Sequence, residues 1–308
     1  MPAPIAIFAF RRPEHLARVL DALRRNPEAH QSPLYVFADA ARHEKDAGQV
    51  AEVRRLLSRV EGFREVHVVL REQNYGLARN ITSGVSEVLS RHSEIIVVED
   101  DVLVGQFFLR FMNDALSHYR DELRVGSVTG YCYPVKTSLP ETFFIRGADC
   151  WGWATWCDRW QVFNPNGGEL LEQLRARELT HAFDFDGTMP FTQMLQDQIA
   201  GRNDSWAVRW HASCFLREML ILYPGCSLVH NIGQDGSGTH GRGDSSYDVS
   251  LEDSAVTVGA IALEENRQAR AAFGEFFRRS QQSPPFLKRA VGAMWRRFKA
   301  IVGAASPS

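Results

Sequence analysis

No C-x-x-C pair occurs in this chain, and its five cysteines (Cys132, Cys150, Cys157, Cys214 and Cys226) fall at no metal-ligand spacing. That excludes a zinc ribbon and a dithiol redox motif. An odd number of thiols fits reduced cysteines in a cytoplasmic protein. Charge of one sign is also missing: 35 Lys and Arg stand against 37 Asp and Glu, a formal charge of −2. Bulk nucleic-acid binding needs a basic surplus, so nucleic acid is not expected as a partner. No run approaches the roughly 18 apolar residues of a membrane span. Residues 1–10 carry no basic stretch ahead of a long apolar one, so no signal peptide is expected. There is no internal repeat and no long low-complexity tract. Phe8-Ala9-Phe10-Arg11-Arg12-Pro13 holds no glycine, so the Gly-rich phosphate loop of a nucleotidyltransferase is absent there.

What is present is a β-α-β-α rhythm in the first half of the 308 residues. Apolar runs predict strands at Ile5–Phe10, Leu34–Ala38, Val66–Leu70, Glu94–Val98 and Val125–Thr129. Helical spacing predicts helices from Pro13, over Val50–Leu57, over Leu77–Ser90 and over Phe107–Tyr119. This order predicts a three-layer α/β/α fold with a mostly parallel sheet. Right-handed crossovers bring the loops after those strands to one sheet edge. The second half is aromatic, Gly-rich and less periodic. Helices are predicted near Leu170–Leu179, Phe191–Gly201, Trp210–Arg217 and Leu263–Arg279, with a strand at Leu220–Tyr223.

The most informative segment is Glu99-Asp100-Asp101, directly after Ile95-Ile96-Val97-Val98. A β-branched run reads as a central parallel strand. Carboxylates at its end are costly to desolvate without partners, and the carboxyl ends of such strands are where open α/β sheets bind ligands. An acidic trio there suits a divalent cation, Mn²⁺ or Mg²⁺, with diphosphate oxygens completing its shell. Asp39 ends the second strand, where a carboxylate accepts a hydrogen bond from a base or ribose. Arg11 and Arg12 follow the first strand and suit a diphosphate. In Asn74-Tyr75-Gly76-Leu77-Ala78-Arg79-Asn80, Gly76 permits close backbone approach before a helix. Arg79 in the first turn of that helix is disfavoured by the helix dipole unless it faces an anion.

Asn74-Tyr75-Gly76 with Ala78-Arg79-Asn80, followed by Val97-Val98-Glu99-Asp100-Asp101, resembles nucleotide-sugar-dependent glycosyltransferases of the GT-A fold. The first motif is similar, with a shorter spacer, to the N-x-G-x-x-x-A-R-N pattern of the large inverting family that includes many bacterial polysaccharide synthases. The acidic trio with Phe107-Phe108 is similar to the E-D-D segment of the N-acetylglucosaminyltransferase I family. The resemblance covers roughly the first 230 residues. It implies that Asp101 ligates the metal, that Glu99 sits near the ribose, that Asp100 contacts the donor sugar and that Asp39 reads the base. Asn203-Asp204-Ser205-Trp206 resembles the W-D-D-W segment that holds the catalytic base of the second family, with Asn203 and Ser205 as departures. Asp204 is therefore the expected base, with Asp197 and Asp235 as rivals.

Three further elements complete the expectation. Trp151, Trp153 and Trp206 are read as an apolar platform for a sugar ring, with plain core packing as the other reading. The run Ile232–Asp244 has four glycines in nine residues and reads as a loop closing over a donor. GT-A enzymes often supply a histidine from this region, which points to His230 or His240 as a metal ligand. Residues 286–303 form a basic amphipathic pattern: Leu287, Val291, Met294, Trp295, Phe298, Ile301 and Val302 with Lys288, Arg289, Arg296, Arg297 and Lys299. It suits an anionic membrane surface at the inner face of the cell membrane, or a second subunit. Truncation at Pro284 is expected to abolish vesicle binding.

Residues 1–130 are thus expected to hold the nucleotide-sugar half of a GT-A domain, 131–260 the acceptor and catalytic half, and 261–308 a helical tail. The expected activity is inverting, metal-dependent transfer from a nucleotide sugar, a UDP-sugar first, to a glycan or lipid-linked glycan in surface-polysaccharide assembly. A homodimer is a further possibility. The alternatives are a sugar nucleotidyltransferase and a non-catalytic glycan- or partner-binding module.

Overall fold

Central strands of the first half feed two cores at once. In the computed structural model, whose described residues are 1–233 and 245–282, Ile5, Ile7 and Ala9 face one core while Ala6 and Phe8 face the other. Ile96 and Val98 against Ile95 and Val97 repeat that alternation. Burial on both faces is why these strands read as unbroken apolar runs.

The first half runs β1 (Ile5–Ala9), α1 (Pro13–Arg24), β2 (Pro33–Ala38), α2 (Ala47–Leu57), β3 (Glu65–Leu70), α3 (Leu77–Leu89), β4 (Glu94–Glu99), β5 (Val102–Val104), α4 (Phe108–His118) and β6 (Val125–Thr129). The second half runs β7 (Thr142–Ile145), β8 (Trp153–Trp156), α5 (Cys157–Trp160), α6 (Gly167–Ala176), α7 (Thr180–Phe183), α8 (Phe191–Ile199), α9 (Trp206–Leu216), β9 (Leu220–Pro224), β10 (Val229–Asn231) and α10 (Arg267–Gln282). Helices α1, α2 and α4 cover one sheet face, and α3, α9 and α10 the other. The fold is therefore the expected Rossmann-like, three-layer α/β/α. Helices α6 to α9 share a satellite core around Leu174, Phe183, Leu195 and Phe215.

Eight strands form one sheet in the order β3-β2-β1-β4-β8-β6-β9-β7. Only β8 and β7 run against the other six. Both halves of the chain share this sheet. Strands β5 and β10 form a separate antiparallel pair.

The sequence reading missed β5, β7, β8 and β10. Strand β8 matters most. Trp153-Ala154-Thr155-Trp156 is buried throughout and lies between β4 and β6. A short strand covered on both faces has no alternation to reveal it. The platform reading of two tryptophans is thereby corrected. Trp153 and Trp206 are 1% and 2% exposed, and their rings pack 5.4 Å apart in the core beside Trp160 and Trp210. Neither offers a face to a sugar. His240, Asp235, the rest of the glycine-rich run from 234 to 244 and the basic stretch 286–303 lie outside the described residues.

Candidate active site

The strand order turns back between β1 and β4, so the chain leaves these neighbours in opposite directions and opens a crevice at their carboxyl ends. Arg11 and Arg12 leave β1 there, and Glu99, Asp100 and Asp101 leave β4. Asp100 bridges the crevice. Its N–H donates to the Phe8 carbonyl at 3.1 Å, and its Oδ2 accepts from the Phe10 N–H at 3.0 Å. Arg12 pairs with Asp101 and stands 3.9 Å from Asp100.

The segment after β10 lies against this pair. The Ile232 N–H donates to the Asp101 carbonyl at 2.8 Å. A Cβ on Gly233 would overlap the Asp101 carboxylate and sit 2.8 Å from Arg12 Nη1, so a side chain does not fit. Burial first, then the charge of Asp101, pushes the Glu99 and Asp100 carboxyls well above the usual range, with Arg12 opposing. The crevice therefore holds more acid than its one arginine neutralises.

Two arginines expected to be open to a diphosphate are already paired. Arg12 is held by the trio, and Arg11 by the buried carboxylate of Asp46. Proximity of a carboxylate explains both. Asp39 likewise has another task. It is 4% exposed and accepts four hydrogen bonds: Ala40 N–H at 3.0 Å and Tyr75 N–H at 2.8 Å on Oδ1, Asn74 Nδ2 and Gly76 N–H at 3.0 Å each on Oδ2. Four donors fill a carboxylate's acceptor sites. The reading of Asp39 as a base reader is corrected accordingly: it clamps the loop that opens α3.

That clamp fixes Gly76 at φ 73° and ψ 163° as the residue preceding α3, a region essentially reserved for glycine. Asp204 comes to the same place from the other half of the chain. Its Oδ2 lies 3.6 Å from where a Gly76 Cβ would stand. Asp204 is exposed and does not cap the following helix. Ser205 does that, accepting from the Val208 N–H at 3.2 Å. Arg79 is exposed and stacks on Tyr75, 4.1 Å from the ring centre, with Arg71 4.8 Å from the same ring. Asp197, the rival base, is tied to Arg202 and Gln193. His230 sits in β10 opposite Leu103, and its Nδ1 accepts from the Val249 N–H at 3.5 Å.

One acid escaped the sequence reading. Strand β8 runs antiparallel to β4 with Val97 against Trp153. That pairing ends at Trp153, and Asp149 lies in the chain just before it. Asp149 accepts from the Tyr133 hydroxyl at 2.8 Å and from the Trp151 N–H at 3.0 Å. Trp151 is half-buried, edge-on to Tyr131 and Tyr247, and is the one expected platform tryptophan outside the core. No local signal marks Asp149, because its side-chain partner Tyr133 comes from the loop after β6.

Burial pushes the Asp149 carboxyl up to about 6, against the pull of its hydrogen bonds. The folded state therefore holds this proton more tightly than the unfolded chain, whose aspartates titrate near about 3.9. Its contribution to stability is full below that value and is lost as pH rises through about 6. Urea unfolding of wild type and Asp149→Asn from pH 4 to pH 7 should show wild type losing about 2 kcal/mol relative to the variant. Parallel curves would refute this.

No family model matches the chain, and no curated protein matches it. Among solved structures it is similar to S. aureus TarS, with a TM-score of 0.30 and 13% identity. The match spans 46% of this chain and 23% of the TarS chain. A likeness of that size does not establish a shared architecture, and the strand order is the stronger description of the fold.

Proposed function

We propose that this chain is an inverting glycosyltransferase that takes a sugar from a nucleotide-sugar donor, a UDP-sugar first, and passes it to a hydroxyl of a glycan or lipid-linked glycan. The observation that carries this reading is the excess of acid at the sheet's switch point, with Asp204 brought to the same edge beside the clamped Gly76. Phosphate oxygens find backbone N–H groups at the start of α3 and the exposed guanidinium of Arg79. Asp204 accepts the proton of the acceptor hydroxyl as its oxygen bonds the anomeric carbon and the bond to the diphosphate breaks. A single displacement of this kind inverts the anomeric centre.

Carboxylate oxygens at this edge are the donor type that Mn²⁺ or Mg²⁺ takes. Among the described residues no three His, Cys, Asp or Glu side chains converge on one point. A nucleotide-bound metal does not require such a cage, since one or two carboxylates plus substrate phosphates suffice. Asp101 is the residue proposed to hold it, with His230 and His240 as candidates for a second ligand. When bound, the ion stabilises charge on the departing diphosphate. No described helix is long and apolar enough to cross a membrane. The stretch 286–303 is the element proposed to meet an anionic membrane surface.

A thermal-shift panel of nucleoside diphosphates and nucleotide sugars, with and without Mn²⁺, tests the reading on wild type and Asp101→Ala. A ligand at 100 times its dissociation constant adds about 2.7 kcal/mol. A metal-dependent rise with one nucleotide, lost in the variant, is expected. No rise with any nucleotide would leave the non-catalytic binding module as the better reading.

A further inference from the structure

Helix α10 presents two faces of different character. Ala269, Ala272, Phe273, Phe276 and Phe277 are buried in the core. Arg267, Ala271, Gly274 and Arg278 are spaced so that all four lie along one line of the helix, the first, second and fourth exposed and Gly274 buried beside Thr188. The middle of this line is small and its ends are guanidinium groups. At 1.5 Å per residue the two arginines stand about 16 Å apart along the axis. Between them runs a groove of about 410 Å³.

The far wall of that groove is the turn Phe185-Asp186-Gly187. All three residues have positive φ, at 53°, 57° and 75°, and two of them are not glycine. Such a turn persists only when its surroundings hold it, and Arg270 does so. Its guanidinium lies 4.5 Å from the Phe185 ring centre and donates to both oxygens of Asp186, to the Ala182 carbonyl and to Glu265. Phe185 is edge-on to Phe277 beneath. Arg270 is thus spent on the wall, and Asp186 and Glu265 are spent on Arg270. Arg267 and Arg278 have neither ion pair nor hydrogen bond among the described residues.

An ordinary solvated helix face pairs its arginines loosely with neighbours at three- and four-residue spacing. Here Arg267 has Arg270 and Ala271 at that spacing, while Arg278 has Gly274 and Glu275, the latter 3.7 Å from Arg279. The result is a preformed groove with a fixed wall and an open cation at each end, which lowers the ordering cost of binding. A single phosphate does not span two cations this far apart. An extended chain carrying an oxyanion on successive units does.

We propose that this groove binds an extended, oxyanion-bearing glycan strand through Arg267 and Arg278, away from the acidic crevice. The preference for an extended polyanion stands on the groove alone; the choice of a glycan rests on the transferase reading.

The experiment is isothermal titration of the full chain with an alginate hexasaccharide, whose units each carry a carboxylate, and with neutral maltohexaose. Wild type, Arg267→Gln/Arg278→Gln and Ala271→Glu are compared, and sedimentation with vesicles rich in phosphatidylglycerol forms a parallel arm. Alginate should bind wild type and maltohexaose should not. Both variants should weaken alginate about tenfold or more, as expected for the loss of charge-assisted hydrogen bonds, with vesicle binding unchanged. The two substitutions act at different positions, and an unchanged melting temperature confirms that each variant folds.

Absence of alginate binding, equal affinity in the variants, or loss of vesicle binding with alginate retained would each overturn the proposal. The nucleotide thermal shift is read on the same samples. A nucleotide response without alginate binding removes this inference alone. Alginate binding without any nucleotide response removes the transferase reading and leaves the groove.

Discussion

Replacing Asp101 with alanine is expected to cut release of nucleoside diphosphate from the donor about a thousandfold, equivalent to about 4 kcal/mol of barrier. Three features single out this carboxylate among the trio. It is the one that Arg12 pairs with, its carbonyl receives the chain after β10, and Gly233 is packed so closely that no side chain fits beside it. Asp100 is engaged in bridging β4 to the residues after β1. Glu99 belongs to the end of β4 itself. Asp101 is thus the group through which cation, diphosphate and the chain after β10 would meet. On the proposed transferase reading, removing it would withdraw charge where the leaving group needs it, and it leaves Arg12 with Asp100 3.9 Å away. The fold should survive, because one buried negative charge fewer relieves Glu99 and Asp100. Diphosphate release and urea unfolding, measured together, check both halves of the statement. A variant within threefold of wild type would remove Asp101 from the chemistry.

The second large effect is on stability. Asp39→Ala is expected to cost about 3 kcal/mol or more, because it strips the acceptor from three backbone N–H groups at once and leaves the Asn74 amide only the Ala40 carbonyl. A negative charge also leaves the start of α3, where the helix dipole favours it. Asparagine should rescue little. Its amide nitrogen would face donors in place of the oxygen that accepts from Asn74 and Gly76, or from Ala40 and Tyr75. With the clamp gone, nothing fixes Gly76 in its glycine-only conformation, so nucleotide affinity should fall along with the urea midpoint. An Asp39→Asn protein as stable as wild type would show that the clamp is incidental.

The sequence alone carried the first half well. Apolar runs mark β1, β2, β4 and β6 because each is buried on two faces, the half-exposed edge strand β3 is marked by its β-branched run, and helical spacing marks α1 to α4. The same logic placed Glu99 to Asp101 at a strand end. It failed for Trp153 to Trp156, whose four residues are buried without alternation or turn signals, and a core strand was read as a sugar platform. It failed for Asp39 in a different way. A carboxylate at a strand end reads alike whether its partner is a ligand or the chain itself, and only folding shows four protein donors already there.

Residue types and local periodicity therefore determined the layers, the parallel half of the sheet and the acidic trio, because these depend on neighbours close in sequence. Tertiary structure decided which acids share an edge. Asp149 meets the Tyr133 hydroxyl across 16 residues of chain, and Asp204 reaches Gly76 only because α9 packs against α3. Such contacts are set by how distant segments bury their apolar faces against one another, and no spacing along the chain records that.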